Sequence, residues 1–171
     1  MTELKLDLGC GTRPKEGFLG VDIVGPDVDF LIDLTSGHRW HFQTSSVDAL
    51  ASSHFIEHIP AEYVQTPDGG QDALFWFFDE AWRIAKPGAL FELRWPGYNS
   101  VWAFQDPTHR RFIPVQTLAY LSIKNRAELG VSQYNVRCDW EIVSAHGSKG
   151  PDAADSDPFL EMFAVLRCKK E

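Results

Sequence analysis

Several features are scarce in the sequence, and each scarcity argues against a class of protein. The three cysteines, Cys10, Cys138 and Cys168, are odd in number and far apart, so neither a disulfide framework nor a zinc-ligand cluster is indicated. The formal net charge of −8 disfavours broad, sequence-independent binding to nucleic acid, which requires a basic surface. No cleavable signal segment and no long apolar run is visible. We therefore expect a soluble, cytoplasmic protein that does not enter a membrane.

What the sequence does contain indicates one folded domain over residues 1–171. Six Trp and twelve Phe argue for a packed core and against disorder. The length suits a single substantial core. We find no internal repeat and no linker long enough to separate two domains.

The stretch with the clearest local pattern is residues 4–12, Leu-Lys-Leu-Asp-Leu-Gly-Cys-Gly-Thr. Apolar residues alternate with polar ones and the run breaks at Gly9, which predicts a strand running into a glycine turn. Gly9 and Gly11 can adopt positive φ and let a ligand approach the backbone. Residues 18–23 predict a second strand with Asp22 near its end. A glycine turn followed by a carboxylate on the next strand is typical of a nucleoside pocket, with the carboxylate on the ribose hydroxyls.

These residues also carry a family resemblance. Asp-Leu-Gly-Cys-Gly-Thr followed by Gly-Val-Asp-Ile resembles motifs I and II of class I S-adenosylmethionine (SAM)-dependent methyltransferases. Arg-Ile-Ala-Lys-Pro-Gly-Ala-Leu, further along, resembles the segment before the fifth strand of the same family. The rival is a dinucleotide-binding oxidoreductase, but Pro14 stands where its third glycine would fall. The resemblance implies SAM as cofactor and S-adenosylhomocysteine as product, bound by Asp7, Gly9, Cys10, Gly11, Asp22, Ile23, Asp33, Ser53 and His54.

The order of predicted elements agrees with an α/β fold. We expect a Rossmann-like methyltransferase sheet, mostly parallel, of seven strands with an antiparallel C-terminal edge. Beyond the first two strands, the predicted elements are strands at 28–33, 47–53, 89–95, 140–145 and 159–168, and helices at 71–86 and 115–123. A loop rich in Gly, Pro, Asp and Ser separates the last two strands.

The connections after the first two strands are too short for ordinary crossover helices, so we expect the helices on one face to be reduced. That face would then be closed by a partner subunit in a homodimer, by a rearranged terminus, or by large side chains such as Trp40 and Phe42. Asp33, at the end of the third strand, has two readings that we leave open. It either accepts from the adenine amine of SAM or caps the turn that follows it.

The segment after the fourth strand, residues 53–58, is dense in polar groups. His54, Glu57 and His58 converge if the segment forms a helical turn. The Glu-His pair resembles that of ubiquinone-biosynthesis-type methyltransferases, in which an acid three residues earlier helps to bind a divalent metal. Here that position holds His54, which argues against magnesium because hard cations prefer oxygen ligands. A softer metal, or none, stays open, and we assign no metal ligand. A structural or SAM-proximal role and acid/base catalysis remain open, with His58 the first choice as base and His54 a further candidate.

The second polar cluster lies in residues 105–112 of the long connection at 96–113, a candidate lid or substrate loop. We expect His109 to take part in catalysis, and Asp106, Arg110 and Arg111 to bind the acceptor, with the arginines pairing with an anionic group. The alternative is a solvated loop in which Asp106 caps a turn.

Together these features predict a SAM-dependent methyltransferase acting on a small, anionic acceptor, at oxygen. The [DN]-P-P-[YF] motif common in enzymes that methylate amino groups of DNA bases is absent; Ser52-Ser53-His54-Phe55 takes its place. The alternatives are a SAM- or S-adenosylhomocysteine-binding module without catalysis and a nucleotide-dependent oxidoreductase.

Overall fold

The computed structural model describes residues 3–26, 28–149 and 159–170, and most of them are organised around one mixed sheet. Its strands are β1 (Lys5–Leu8), β2 (Leu19–Asp22), β3 (Phe30–Leu31), β4 (Val47–Ser53), β7 (Ala85–Pro96), β8 (Trp140–Ser148) and β9 (Glu161–Cys168). A separate antiparallel hairpin contains β5 (Tyr63–Thr66) and β6 (Gly69–Asp72). The helices are α1 (Ala73–Ile84), α2 (Val101–Gln105) and α3 (Ile123–Glu128), with 3-10 turns at Ile56–His58 and Val115–Leu121.

The strand order is β3-β2-β1-β4-β7-β9-β8. Neighbours from β3 to β7 run parallel, whereas β9 runs antiparallel to both β7 and β8. The predicted seven-stranded, mostly parallel sheet with an antiparallel C-terminal edge is therefore confirmed. β2 and β3 are added successively on one side of β1, and β4 then pairs with β1 on its other side. In open α/β sheets ligands bind at the carboxyl ends of the strands where the order reverses in this way.

The helix α1 covers one face of this sheet. Asp72 begins it, because its side chain accepts a hydrogen bond from the Leu74 amide at 2.9 Å. Phe77 and Phe78 pack against Phe91 of β7 in the buried core. The helix is shorter than the predicted 71–86, because its first residues complete the β5–β6 hairpin and the chain enters β7 directly at Ala85.

The opposite face carries no described helix. Among the described residues, the connection from β1 to β2 and the connection from β2 to β3 contain turns and no helix. The prediction of reduced helices on one face is therefore confirmed. This open face is polar. Glu92 pairs with Lys15 at 2.5 Å, and Arg94 lies over the ring of Phe163 at 5.3 Å. Charged side chains thus cover a surface that crossover helices would otherwise bury.

Two details of the prediction need correction. Trp40 packs against Phe77 of α1, on the helix-covered side, and so does not close the open face. The predicted helix at 115–123 is a 3-10 turn followed by α3, and a short helix, α2, interrupts the long connection at 96–113. The homodimer through the open face stays a prediction, and the predicted loop between the last strands lies partly outside the described residues, at 150–158.

No helix in the described ranges is both long and apolar enough to cross a membrane.

Candidate functional site

The turn after β1 has the backbone conformation that glycine allows. Gly9 has φ 74° and Gly11 has φ 59°, both in the left-handed region. A Cβ on Gly9 would lie 2.1 Å from Cγ of Phe55, so this glycine also lets that ring pack onto the turn. A Cβ on Gly11 would meet no atom within 4 Å. The first glycine therefore joins the turn to the segment after β4, and the second leaves open space beside the backbone.

Asp22, at the end of β2, is fixed by main-chain donors. Its Oδ2 accepts from the Gly11 amide at 2.8 Å and its Oδ1 accepts from the Ile23 amide at 2.6 Å. An ionised carboxylate has about four lone-pair sites, so acceptor capacity remains for a ligand hydroxyl. The predicted partnership between the glycine turn and the acid of the neighbouring strand is present in the structure.

A cavity of about 440 Å³ opens beside this turn at the carboxyl ends of the parallel strands. Asp33 borders it and also accepts hydrogen bonds from the amide and the hydroxyl of Thr35, both at 2.9 Å. Both readings of Asp33 are compatible with this position. The cavity is lined by Gly9, Gly11, Asp22, Ile23, Ile32, Asp33, Leu34, Thr35, His54, Phe55, His58, Ile59 and Pro60.

Three residues predicted to contact the cofactor do not line this cavity. Asp7 and Ser53 line a second cavity of about 400 Å³ on the open face, together with Lys15 and Arg94. Asp7 accepts from the Lys15 amide at 2.8 Å, and burial raises the pKa of its carboxyl. Cys10 does not line the first cavity; its sulfur occupies the space beside Gly20, and burial raises its pKa to about 11. The hydrogen bond from the Lys15 amide to Asp7 thus stabilises the glycine turn on the side away from the first cavity.

His54 lines the first cavity, directly after Ser53 of the second in the chain, and has an unusual backbone, with φ 53°. Its Nε2 lies 2.8 Å from Glu161 Oε1 and its Nδ1 lies 3.2 Å from Glu57 Oε1. The carboxylates of Glu57 and Glu161 raise the pKa of His54 against the opposing effect of burial. The histidine is thereby held as an ion-pairing group between two acids.

His58 lines the other rim of the cavity and His109 lies against it, with ring centroids 4.7 Å apart in an edge-on contact. Thr108 Oγ1 lies 2.6 Å from Asp106 Oδ1 and 3.0 Å from His58 Nδ1. His109 Nδ1 lies 2.9 Å from the carbonyl oxygen of Ala103. The loop at 106–111 therefore brings a histidine more than fifty positions away in the chain against His58.

Glu57 lies beneath these two rings and is 2% exposed. Neither of its carboxylate oxygens has a hydrogen-bond partner among the described residues; the His54 contact at 3.2 Å lacks hydrogen-bond geometry. Ligand atoms of Glu57, His58 and His109 all lie within 4.8 Å of one another. The sequence grouped Glu57 and His58 with His54 by helical spacing. It held no signal that His109 would complete this cluster.

The two arginines of the loop have different surroundings. Arg111 donates to the carbonyl oxygens of Ile59 and Pro60, at 3.0 and 2.5 Å, and pairs with Asp72 at 3.0 Å. Its guanidinium is thus largely occupied in fixing the loop, which argues against the predicted substrate contact. The Arg110 side chain is exposed, and its guanidinium donates to the Pro107 carbonyl oxygen at 3.3 Å.

The whole architecture is similar to that of solved methyltransferases. A SAM-dependent methyltransferase from Methanosarcina mazei superposes with a TM-score of 0.59 at 16% identity, covering 100% of this chain and 95% of that one. One from Archaeoglobus fulgidus gives 0.53 at 16% identity, covering 96% and 86%. A chain from the Haloferax volcanii complex with the Trm112 methyltransferase activator gives 0.60 at 15% identity, covering 99% and 83%.

At these identities the likeness shows the Rossmann-like methyltransferase fold. No protein-family model and no curated protein sequence matches the chain. The specific likeness to ubiquinone-biosynthesis-type enzymes stays a prediction.

Proposed function

We propose that this protein is a SAM-dependent methyltransferase that acts on a small acceptor through an oxygen atom. The observation that carries the proposal is the cavity at the reversal of strand order, where Gly9 and Gly11 present bare backbone and Asp22 presents a carboxylate. This combination suits a nucleoside with a charged tail.

The cofactor would lie across the glycine turn with its ribose hydroxyls on Asp22. Asp33, further along the same rim, would accept from the adenine amine. The sulfonium methyl would then point toward His54 and His58, at the end of β4. Methyl transfer by in-line displacement needs mainly alignment of the nucleophile with the S–CH3 bond, and proximity alone supplies several kcal/mol.

The acceptor would enter between the cavity and the loop at 106–111. His58 and His109 lie there, and exposed Arg110 offers a cation to an anionic acceptor such as a hydroxy acid. An acceptor hydroxyl must lose its proton as it attacks the methyl group, and a group beside it must take that proton or hold the oxygen. The His58–His109 side of the cavity is where we place this step.

Calorimetry with S-adenosylhomocysteine tests the cofactor, and NADH serves as the control nucleotide. We expect binding at sub-millimolar ligand for the first and none for the second. Absence of heat with S-adenosylhomocysteine would overturn the proposal.

Catalysis is tested separately by measuring S-adenosylhomocysteine formed from SAM with a panel of small aliphatic and aromatic hydroxy acids. Turnover with one acceptor supports an enzyme. Binding of the cofactor with no turnover across the panel supports the non-catalytic module.

A further inference from the structure

The hydrogen bonds around His58 and His109 fix which ring nitrogen of each is free. The carboxylate of Asp106 can only accept, so the Thr108 hydroxyl proton is directed at Asp106 and the same oxygen must accept from His58 Nδ1–H. The neutral tautomer that these contacts select carries its proton on Nδ1 in both rings, since His109 Nδ1 likewise donates to the Ala103 carbonyl oxygen. Each leaves a bare Nε2 lone pair.

Glu57 adds a third bare donor to the same place. Its carboxylate is nine-tenths buried and has no hydrogen-bond partner among the described residues; the His54 ring lies 3.2 Å from Oε1 without hydrogen-bond geometry, so the acceptor capacity of both oxygens is unused, which is costly in a buried site. Its Oε1 lies 3.9 Å from His109 Nε2. That separation is too long for a hydrogen bond and matches the distance between two atoms bound to one ion.

We propose that Glu57, His58 and His109 bind a divalent transition-metal ion. Two imidazoles and one carboxylate suit zinc, cobalt, manganese or iron better than magnesium, which prefers oxygen ligands throughout. Histidine ligands in metal sites typically donate their other ring nitrogen to a carbonyl or a carboxylate-linked group, which is the arrangement that Ala103 and Thr108 provide. The proposal assigns metal ligands where the sequence alone assigned none.

The geometry requires little adjustment. Ligand bonds of about 2.1 Å place neighbouring ligand atoms roughly 3 to 4 Å apart, and the three donors here lie within 4.8 Å of one another. The Arg110 and Arg111 amides, bound to the Glu57 carbonyl oxygen at 2.8 and 3.0 Å, keep the loop against the carboxylate. A small closing movement of that loop completes the site.

His54 is outside this set because its ring is already held between Glu57 and Glu161. The metal site is therefore assembled from the turn after β4 and from the distant loop, instead of from the turn alone.

His58 also lines the proposed cofactor cavity. The coordination positions of the ion that the protein does not fill would therefore face the acceptor bound in that cavity. This part rests on the proposed function. A metal ion at this place would favour an acceptor with a hydroxyl oxygen that can bind the ion. The bound ion would also lower the pKa of that acceptor hydroxyl.

Cobalt(II) alone, added to the purified full chain after treatment with a chelator, tests the site. We expect saturable visible absorption bands with a stoichiometry of one ion per chain, displaced by zinc. Glu57→Gln and His109→Ala should lose the bands, while His41→Ala, at an exposed histidine elsewhere, should keep them. Thr108→Val should weaken cobalt affinity by about 10- to 100-fold. The variant removes the hydroxyl that fixes the His58 tautomer but leaves all three metal ligands in place.

Several outcomes would overturn the proposal: no bands with the wild-type chain, unchanged bands in His109→Ala, or equal loss in His41→Ala. Circular dichroism establishes that each variant is folded, and His58→Ala replaces any variant that is not. Cobalt binding without S-adenosylhomocysteine binding would support the metal site and overturn the cofactor. The reverse result would do the opposite.

Discussion

The two rims of the cavity are built in different ways. On the cofactor rim, Gly11 follows β1 and Asp22 ends the adjacent strand β2, so the two lie close in the chain, and the Gly11 amide donates a hydrogen bond to the Asp22 carboxylate. On the acceptor rim, His58 lines the cavity, and Glu57 and His109 beside it come from distant segments and face each other without a hydrogen bond. The first rim is thus joined by hydrogen bonds within the protein, whereas the second holds a buried carboxylate with no hydrogen-bond partner among the described residues. Local sequence accounts for the first and tertiary packing for the second.

The largest expected effect comes from Gly9, on which the ring of Phe55 packs. Gly9→Ala should lower the free energy of unfolding by about 3 kcal/mol or more, because the methyl group combines left-handed strain with a clash against Phe55. Gly11→Ala, with similar φ but open space, should cost about 1 kcal/mol. Urea unfolding measures both.

A double variant isolates the clash. Phe55→Ala should recover part of the Gly9→Ala loss, giving a double variant less destabilised than the sum of the two single variants. Equal losses in Gly9→Ala and Gly11→Ala would show that the ring does not pack on the turn.

The acceptor rim should depend on Arg111 for its shape. Arg111→Met removes donors to two carbonyl oxygens and to Asp72, and we expect a loss of about 2 kcal/mol in unfolding free energy. Arg110→Met is the matched control, expected within about 0.5 kcal/mol of wild type because its side chain is exposed. If the order were reversed, Arg110 and not Arg111 would be the residue that fixes the loop.

The cofactor rim can be weakened without unfolding the protein. Asp22→Ala should reduce S-adenosylhomocysteine affinity by about 1–3 kcal/mol, through loss of hydrogen bonds to a charged group. Asp33→Ala, at the exposed end of the same rim, should cost less than about 1 kcal/mol, since its carboxylate is shared with the Thr35 turn. Calorimetry measures both, and unchanged affinity in a folded Asp22→Ala variant would refute the ribose contact.

The difference between the rims also explains what the sequence could predict. Strand patterning, the glycine turn and Asp22 are local signals, so the sheet and the cofactor rim were anticipated in outline. The β5–β6 hairpin was missed because residues 66–70 carry turn residues with only weak strand alternation at their flanks. His54 was grouped with Glu57 by spacing, and nothing local reveals that Glu161, on the last strand, competes for its ring.

The arginines illustrate the same limit. Adjacent and chemically alike, Arg110 and Arg111 had the same predicted role, yet one is exposed and the other is fixed by carbonyl oxygens. Only the path of the chain around residues 59–60 and the position of Asp72 distinguish them. Residue type predicts what a side chain can do, whereas its neighbours decide what it does.

The smallest expected effect concerns His54, which follows β4 and lines the cavity. Its pKa is raised above the ordinary 6.5 by Glu57 and Glu161, so the protonated form is favoured in the folded chain. The resulting stabilisation is fully present below about pH 6.5 and is lost as the pH rises through the raised pKa. His54→Asn tolerates the positive φ and removes the charge.

We therefore expect His54→Asn to be less stable than wild type by up to about 1 kcal/mol near pH 6, with a smaller difference near pH 9; the ring is 38% exposed, which limits the effect. The pH should stay above the usual carboxylate range, because pairing with Arg94 and His54 lowers the pKa of Glu161 despite its burial, and that contribution is lost in acid. Urea midpoints at the two pH values decide the matter. An equal difference in stability at the two pH values would mean that His54 is neutral in the folded chain. Its contact with Glu161 would then be a hydrogen bond without an ion pair.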